Sequence, residues 1–311
     1  MGALVLALNP SIDAEWRVTE ARWEEKNIIQ SERRWAGGKG VNVARWLRHL
    51  RGEPRLLLPL GGITGWEMAA HLQRERLPAK SIALREATRV NVIITTAEGR
   101  QLRFNPRGPK LTGAEWGEIL RETRQLLKRA SCLVLSGSLP RGVKAGAYAE
   151  LICLAHRAGV KTILDCDGEA LATAIPARPF LVKPNEHELA EWYGKTISSP
   201  AGLVTAALAL SAKTKGWVLV SLGRRGALLV NRKLKVKLSA RPHRVNPVNT
   251  VGAGDALVAA VARQVELGNS PEDWLRWGVA TGTAATQCAA GKLPSASLIR
   301  RLLKKVKIAS N

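Results

Sequence analysis

Short apolar runs recur along this chain, separated by longer stretches in which apolar residues return every three or four positions. The runs at 3–8, 56–60, 132–135, 161–165, 180–182 and 217–222 lack the polar alternation of a half-exposed sheet, so they predict strands buried on both faces. Between them, 66–77, 116–129, 147–158 and 202–212 read as helices. Two further helices are marked by spacing. Val43, Leu47 and Leu50 fall at i, i+4 and i+7 before Gly52, and Leu257, Val261 and Val265 fall at i, i+4 and i+8 before Gly268. This alternation predicts an α/β fold, a doubly wound and mostly parallel sheet flanked by helices. Ligands of such a sheet bind at the carboxyl ends of its strands, where Ser136, Asn185 and Gly223 fall. Two segments break the rhythm, 13–34 and 90–105, the second around Ala97-Glu98-Gly99-Arg100; they read as extended or hairpin structure. The expected organisation is one domain over 1–311 with these two segments forming a small β unit inserted in it.

Glycine placement adds chemistry to this frame. Asn249-Thr250-Val251-Gly252-Ala253-Gly254-Asp255 runs straight into a helix, where glycines let backbone N–H groups close on an anion and the helix N-terminus adds partial positive charge. A carboxylate set into an anion site repels a resident phosphate but suits a base that takes a proton from a hydroxyl while the amides hold a phosphoryl group in transit. The plainer alternative is a glycine turn before a core helix, with Asp255 favoured there by the helix dipole. A second cluster, Trp35-Ala36-Gly37-Gly38-Lys39-Gly40-Val41-Asn42, also leads into a helix and offers backbone, ammonium and amide groups to a polyhydroxylated or phosphorylated ligand. It has neither the spacing of a Walker A loop nor that of a dinucleotide fingerprint.

Composition narrows the class. The 311 residues suffice for a large core. Cys132, Cys153, Cys166 and Cys288 are scattered with no Cys-x-x-Cys pair, which favours free thiols in a reducing compartment over disulfides or zinc. No apolar run reaches membrane-spanning length, and 3–8 lacks the basic leader of a signal peptide, so a cytoplasmic protein with no membrane partner is expected. The formal net charge of +23 attracts anionic metabolites and permits non-specific nucleic-acid binding, although no zinc finger or RNA-recognition signature is present.

Taken together, the two glycine clusters resemble the signature regions of the ribokinase-like, or PfkB, carbohydrate kinases. Asn9-Pro10-Ser11-Ile12-Asp13, Thr88-Arg89-Val90-Asn91, Ser136-Gly137-Ser138-Leu139-Pro140, Lys183-Pro184-Asn185-Glu186-His187-Glu188 and Ser221-Leu222-Gly223-Arg224-Arg225-Gly226-Ala227 add further matches in the expected order. Asn-Pro-x-x-Asp combined with Gly-Gly-Lys-Gly-Val-Asn-Val-Ala-Arg is most similar to the branch of 1-phosphofructokinases and tagatose-6-phosphate kinases. The resemblance implies ATP-dependent phosphorylation of a hexose phosphate, fructose 1-phosphate first and tagatose 6-phosphate next, with Mg²⁺ as cofactor. It implies that Asp255 is the base and that Gly252, Ala253 and Gly254 form the anion hole. Asp13, Gly37, Gly38, Asn42 and Ser138 fall to the sugar; Lys39, Arg89 and Arg103 to the phosphate it already carries. Lys183, Asn185, Ser221, Gly223, Gly226 and Thr250 fall to the nucleotide. Asn185 and Glu188 would hold Mg²⁺ through water, although their spacing equally satisfies a helix capping box. The two extended segments would form a β lid that pairs two subunits into a homodimer.

Two departures from the family pattern stand out. Asn105-Pro106-Arg107-Gly108-Pro109 puts a base where an acid is usual, and Asp167 replaces a small hydroxyl residue. The alternatives to a phosphosugar kinase are a kinase for an unphosphorylated sugar or nucleoside and, from another class, a sugar-phosphate sensor or nucleic-acid-associated protein on the same scaffold.

Overall fold

The structure, a computed structural model, describes residues 2–310 of the chain. Its first half comprises β1 (Gly2–Leu6), β2 (Ser11–Arg17), β3 (Ser31–Gly37), α1 (Lys39–His49), β4 (Arg55–Gly61), α2 (Gly62–Arg74), β5 (Ala79–Leu84), β6 (Arg89–Thr95), β7 (Gln101–Phe104) and α3 (Gly113–Leu127). There follow β8 (Ala130–Ser136), α4 (Ala147–Arg157), β9 (Lys161–Asp165), α5 (Gly168–Ala174), β10 (Leu181–Val182), α6 (Glu186–Tyr193), α7 (Pro200–Thr214) and β11 (Trp217–Ser221). The chain closes with β12 (Ala227–Asn231), β13 (Val236–Arg241), α8 (Ala253–Glu266), α9 (Pro271–Ala285), α10 (Ala296–Leu303) and β14 (Lys307–Ser310).

Ten strands form one sheet in the order β14-β13-β12-β11-β10-β9-β8-β1-β4-β5. It is parallel from β5 to β11, and β12, β13 and β14 extend it antiparallel. Side-chain alternation explains its two cores. Val5 faces one way with α1, α8 and α9, while Leu4 and Leu6 face the other with α3, α4 and α7. Burying each such side chain stabilises the fold by roughly 1.5–3 kcal/mol. Helix α2 departs from its expected bounds because it leaves β4 with no linker, Gly61 serving as its N-cap.

The two irregular segments form a separate four-stranded sheet, β3-β2-β6-β7, as the extended reading anticipates. Its β2–β6 pair is parallel and the others are antiparallel. A tight turn at Gly99 (φ +81°) joins β6 to β7, with the Thr96 N–H donating to the Arg100 carbonyl. No helix among the described residues is long and apolar enough to cross a membrane.

Candidate active site

Helix α8 begins at Gly252, whose φ of +80° is the left-handed region that glycine adopts without a Cβ clash, and no side chain caps its N-terminus. The first N–H groups of a helix lack intrahelical acceptors, and the Gly254 and Asp255 amides have no side-chain cap. The Ala253 N–H makes a long 3.4 Å contact to the exposed Thr250 carbonyl. Asp255 is 6 % exposed, and the Asn42 Nδ2 amide donates to its Oδ2 at 2.8 Å. Burial, aided by the nearby Asp165 charge, pushes the Asp255 carboxyl up to about 7, against the Asn42 hydrogen bond and the pull of Lys39 and Lys183. Arg45, one turn beyond Asn42 on α1, donates from Nη1 to Asn42 Oδ1 at 2.9 Å and is itself clamped by Glu75 at 2.7 and 2.9 Å. With its oxygen so engaged, Asn42 turns its amide nitrogen to Asp255.

A second cluster lies at the ends of β9 and β10. Asp165 accepts from Ser136 Oγ at 3.1 Å and is paired with Lys183 Nζ at 3.0 Å and Lys39 Nζ at 3.7 Å. Burial alone would raise the Asp165 carboxyl, but the two ammonium groups and the Ser136 hydroxyl hold it below the ordinary carboxylate range. For Lys39, burial works against the charge, but Asp165, Asp255, Glu188 and Asp167 together raise its affinity for the proton. The resemblance assigns Lys39 to the phosphate on the sugar; its ammonium lies beside buried Asp165 at the strand ends. Asn185 and Glu188 form the full capping box of α6: Asn185 Oδ1 accepts the Glu188 N–H and Glu188 Oε2 accepts the Asn185 N–H, both at 2.8 Å. This leaves Glu188 Oε1 outside the box. Ser221 joins the same end, its N–H donating to the Pro184 carbonyl at 3.0 Å. Gly223 and Gly226 bracket a short 3₁₀ turn, and at Gly226 (φ +97°) a Cβ would sit 1.9 Å from the Ala240 carbonyl oxygen. Among the described residues no three His, Cys, Asp or Glu side chains form a metal-binding group. Mg²⁺ typically takes one or two carboxylates and completes its shell with water and substrate phosphates, and Glu188 with Asp167 at the exposed start of α5 fits that habit.

On the lid side Asp13 accepts from Ser11 Oγ at 2.8 Å and Asn91 Nδ2 at 2.9 Å. Burial raises its carboxyl and those two hydrogen bonds oppose the shift. Gly37 is obligatory beside it, since a Cβ there would lie 2.2 Å from the Asp13 carboxyl. Gly38 (φ +93°) then caps α1. Asn9 Nδ2 donates to Ser138 Oγ at 3.0 Å and to the Arg107 carbonyl at 3.1 Å, which ties the variant 105–109 segment to the core. Arg89 commits both terminal nitrogens to carbonyls, those of Asn9 and Pro106. Arg103 stands on exposed β7 beside Gln101 and lines the cleft with Asp13, Asn42 and Gly252. Asn9 Oδ1, Asn91 Oδ1 and Arg89 Nε are buried without partners among the described residues, and buried polar groups left unpaired mark where a polar ligand completes the network.

Sequence reading missed Asp165, read only as a strand end, and Arg45. Arg45 lies three residues after Asn42, the spacing at which helical neighbours meet, and that spacing was the available signal.

Residues 8–297 match the family model described as pfkB family carbohydrate kinase. The chain is 35% identical over 285 residues to the ATP-dependent 6-phosphofructokinase isozyme 2 of Escherichia coli, covering 90% of this chain and 91% of that one. It is 30% identical over 310 residues to the 1-phosphofructokinase of Haemophilus influenzae, covering 98% and 97%. The solved structure of Escherichia coli phosphofructokinase-2 in complex with fructose-6-phosphate is similar at a TM-score of 0.91 and 32% identity, covering 98% of this chain and 99% of that one.

Proposed function

Since the chain belongs to the pfkB family of carbohydrate kinases, we propose that it transfers the γ-phosphoryl group of ATP to a free primary hydroxyl of a fructose phosphate, with Asp255 as general base. One observation carries this reading: a buried carboxylate poised near 7 stands at the uncapped start of a helix, held by Asn42, which with Gly252 lines a cleft shared with lid residues. A base with a pKa near the operating pH combines adequate ionisation with adequate driving force for proton transfer. The hydroxyl proton passes to Asp255 as its oxygen attacks the γ-phosphorus, and the bond from that phosphorus to the bridging oxygen of ADP breaks. Amides at Gly252, Ala253 and Gly254 stabilise the charge on the transferring group.

Lys39 is assigned here to the phosphoryl group in transit, because its ammonium lies beside Asp165 and within the field of Asp255. Lys183, Asn185, Ser221, Gly223, Gly226 and Thr250 serve the nucleotide side. Mg²⁺ supplies charge neutralisation on the phosphates when bound, and Glu188 with Asp167 would hold it, partly through water. Asp13, Asn42, Gly37, Gly38 and Ser138 orient the sugar. Arg103 takes the sugar's own phosphate, and Arg89 mainly positions Asn9 and the 105–109 segment.

Fructose 1-phosphate is the first expectation from sequence, and the 35% identity to a 6-phosphofructokinase gives fructose 6-phosphate equal standing; tagatose 6-phosphate ranks below both. The lid's outward face exposes Trp23 (82 %), Ile28 (73 %) and Phe104 (50 %), which fits a homodimer formed lid to lid. The test is ADP release with MgATP over a panel of hexose phosphates, free sugars and nucleosides, with Asp255→Asn in parallel. Turnover on one fructose phosphate, reduced by about 10²–10⁴ in the variant, is expected. Turnover on free sugars alone, or an active Asp255→Asn, would overturn the reading.

A further inference from the structure

The strands of the large sheet begin on the edge opposite the active site, and basic residues stand at most of those beginnings. Lys233 follows β12, Lys215 precedes β11, Arg178 precedes β10, Lys161 opens β9, Arg129 precedes β8, Arg55 opens β4 and Lys80 lies at the start of β5. With neighbouring strands about 4.8 Å apart, β12 to β5 span about 34 Å of edge. At the β9–β12 end the edge is recessed into a groove of about 560 Å³. Lys161, Arg178, Lys215 and Lys233 line it together with Phe180 and Leu234, and no Asp or Glu does.

Two observations bear on this groove beyond its net charge. None of the four cations forms an ion pair among the described residues. Nearby acids are engaged elsewhere or lie outside it: Glu266 pairs with Arg263, Asp273 is held by Ser270, and Glu272 and exposed Glu53 do not line it. Complementing helix dipoles accounts for His156 and Arg157 in the last turn of α4 and Lys213 in that of α7, but not for Lys161 or Lys233, which sit at strand ends. Arg178 (φ +57°) and Lys215 (φ +55°) stand in the left-handed region, as Arg51, Arg76 and Lys235 do elsewhere, so this conformation is a habit of the chain and no mark of the groove.

We propose that this groove binds the phosphate backbone of single-stranded nucleic acid, independently of the kinase site. Spaced, unpaired cations meet successive phosphates, while Phe180, with Lys161 Nζ 5.0 Å from its ring centroid, and exposed Leu234 give apolar surface to sugar or base. The recess suits a strand better than a flat lipid surface.

The experiment is fluorescence anisotropy of a labelled oligodeoxythymidine of about 20 nucleotides, titrated with the full chain between about 50 and 200 mM salt. Lys161→Gln/Arg178→Asn/Lys215→Asn/Lys233→Gln uses Asn at the two left-handed positions, which it tolerates. The control, Arg124→Gln/Lys195→Gln/Arg301→Gln/Lys304→Gln, removes the same charge from exposed, unpaired positions outside the groove and the lid. Each lost phosphate contact lowers the slope of log affinity against log salt by about 0.7, so the groove variant should lose about 2–3 in slope and at least about tenfold in affinity, the control less than about threefold. Undiminished sugar-kinase turnover in both variants shows that they fold. Equal weakening of the two variants, absence of binding at the lowest salt, or equally tight capture of polyglutamate or phosphatidylserine vesicles would overturn the proposal.

Discussion

Asp255 bears two opposed demands, since the burial that suits it to the proposed role of base also makes its ionised form costly to the fold. Turnover should therefore rise with pH through about 7, as the carboxyl loses its proton, and a pH profile of kcat/KM for the sugar should place its acid limb there. Stability moves the other way. Between about 4 and 7 the native state binds more protons at this position than the unfolded chain, so its contribution to stability falls as pH climbs through that window. Asp255→Asn, which keeps an acceptor for Asn42, should gain about 1–3 kcal/mol relative to the parent on going from pH 5 to pH 8, measured by urea denaturation. A parallel loss across that range would show that the carboxyl is not raised. Asp165 behaves in the reverse sense: its folded carboxyl is held low, so its contribution is present above the ordinary carboxylate pKa and is lost only on strong acidification. Removing its buried partner with Lys183→Met should cost about 3–5 kcal/mol, read from the same denaturation curves.

The elements that the sequence made legible are those with undivided apolar runs. Strands β1, β4, β8, β9 and β11 are buried on both faces, so no partner or register is needed to recognise them. In the antiparallel extension β12, Ala-Leu-Leu-Val-Asn, carries the same undivided signal and was missed, whereas β13 and β14 were not legible. β13 reads Val-Lys-Leu-Ser-Ala-Arg and β14 Lys-Ile-Ala-Ser, half-polar segments whose pairing depends on partners distant in sequence. Asp255 and the glycines that open its helix could be read together because they are contiguous. The direction of Lys39, the Arg45–Asn42–Asp255 chain and the role of Asp165 could not, because each is a meeting of separate elements. Gly226 belongs to this scale as well, since it lets the β11–β12 turn pass under the Ala240 carbonyl. Gly226→Ala should lower the thermal midpoint by several degrees, corresponding to about 2 kcal/mol or more, and weaken ATP affinity with it. An unchanged midpoint would mean that the turn is free to shift.

At the scale of the whole molecule, the lid's outward face carries exposed Trp23, Ile29, Leu102 and Phe104 around one recess. Sedimentation should find a dimer that Trp23→Asp/Phe104→Asp converts to monomer, with near-ultraviolet circular dichroism confirming that the large sheet stays packed. A parent chain sedimenting as a monomer would remove the lid from the interface. The lid is also joined to the chemistry by covalent continuity. Strand β3 passes through Gly37 and Gly38 directly into α1, so the lid and the helix that holds the Asn42 amide on Asp255 meet at one glycine, at φ +93°. Because α1 is packed in the core and Asn42 is already seated on Asp255, a bend at Gly38 would move the lid and leave the proposed base in place. Restraint of idle phosphate transfer to water would then fall to the water that closure expels, on a carboxyl kept in position throughout.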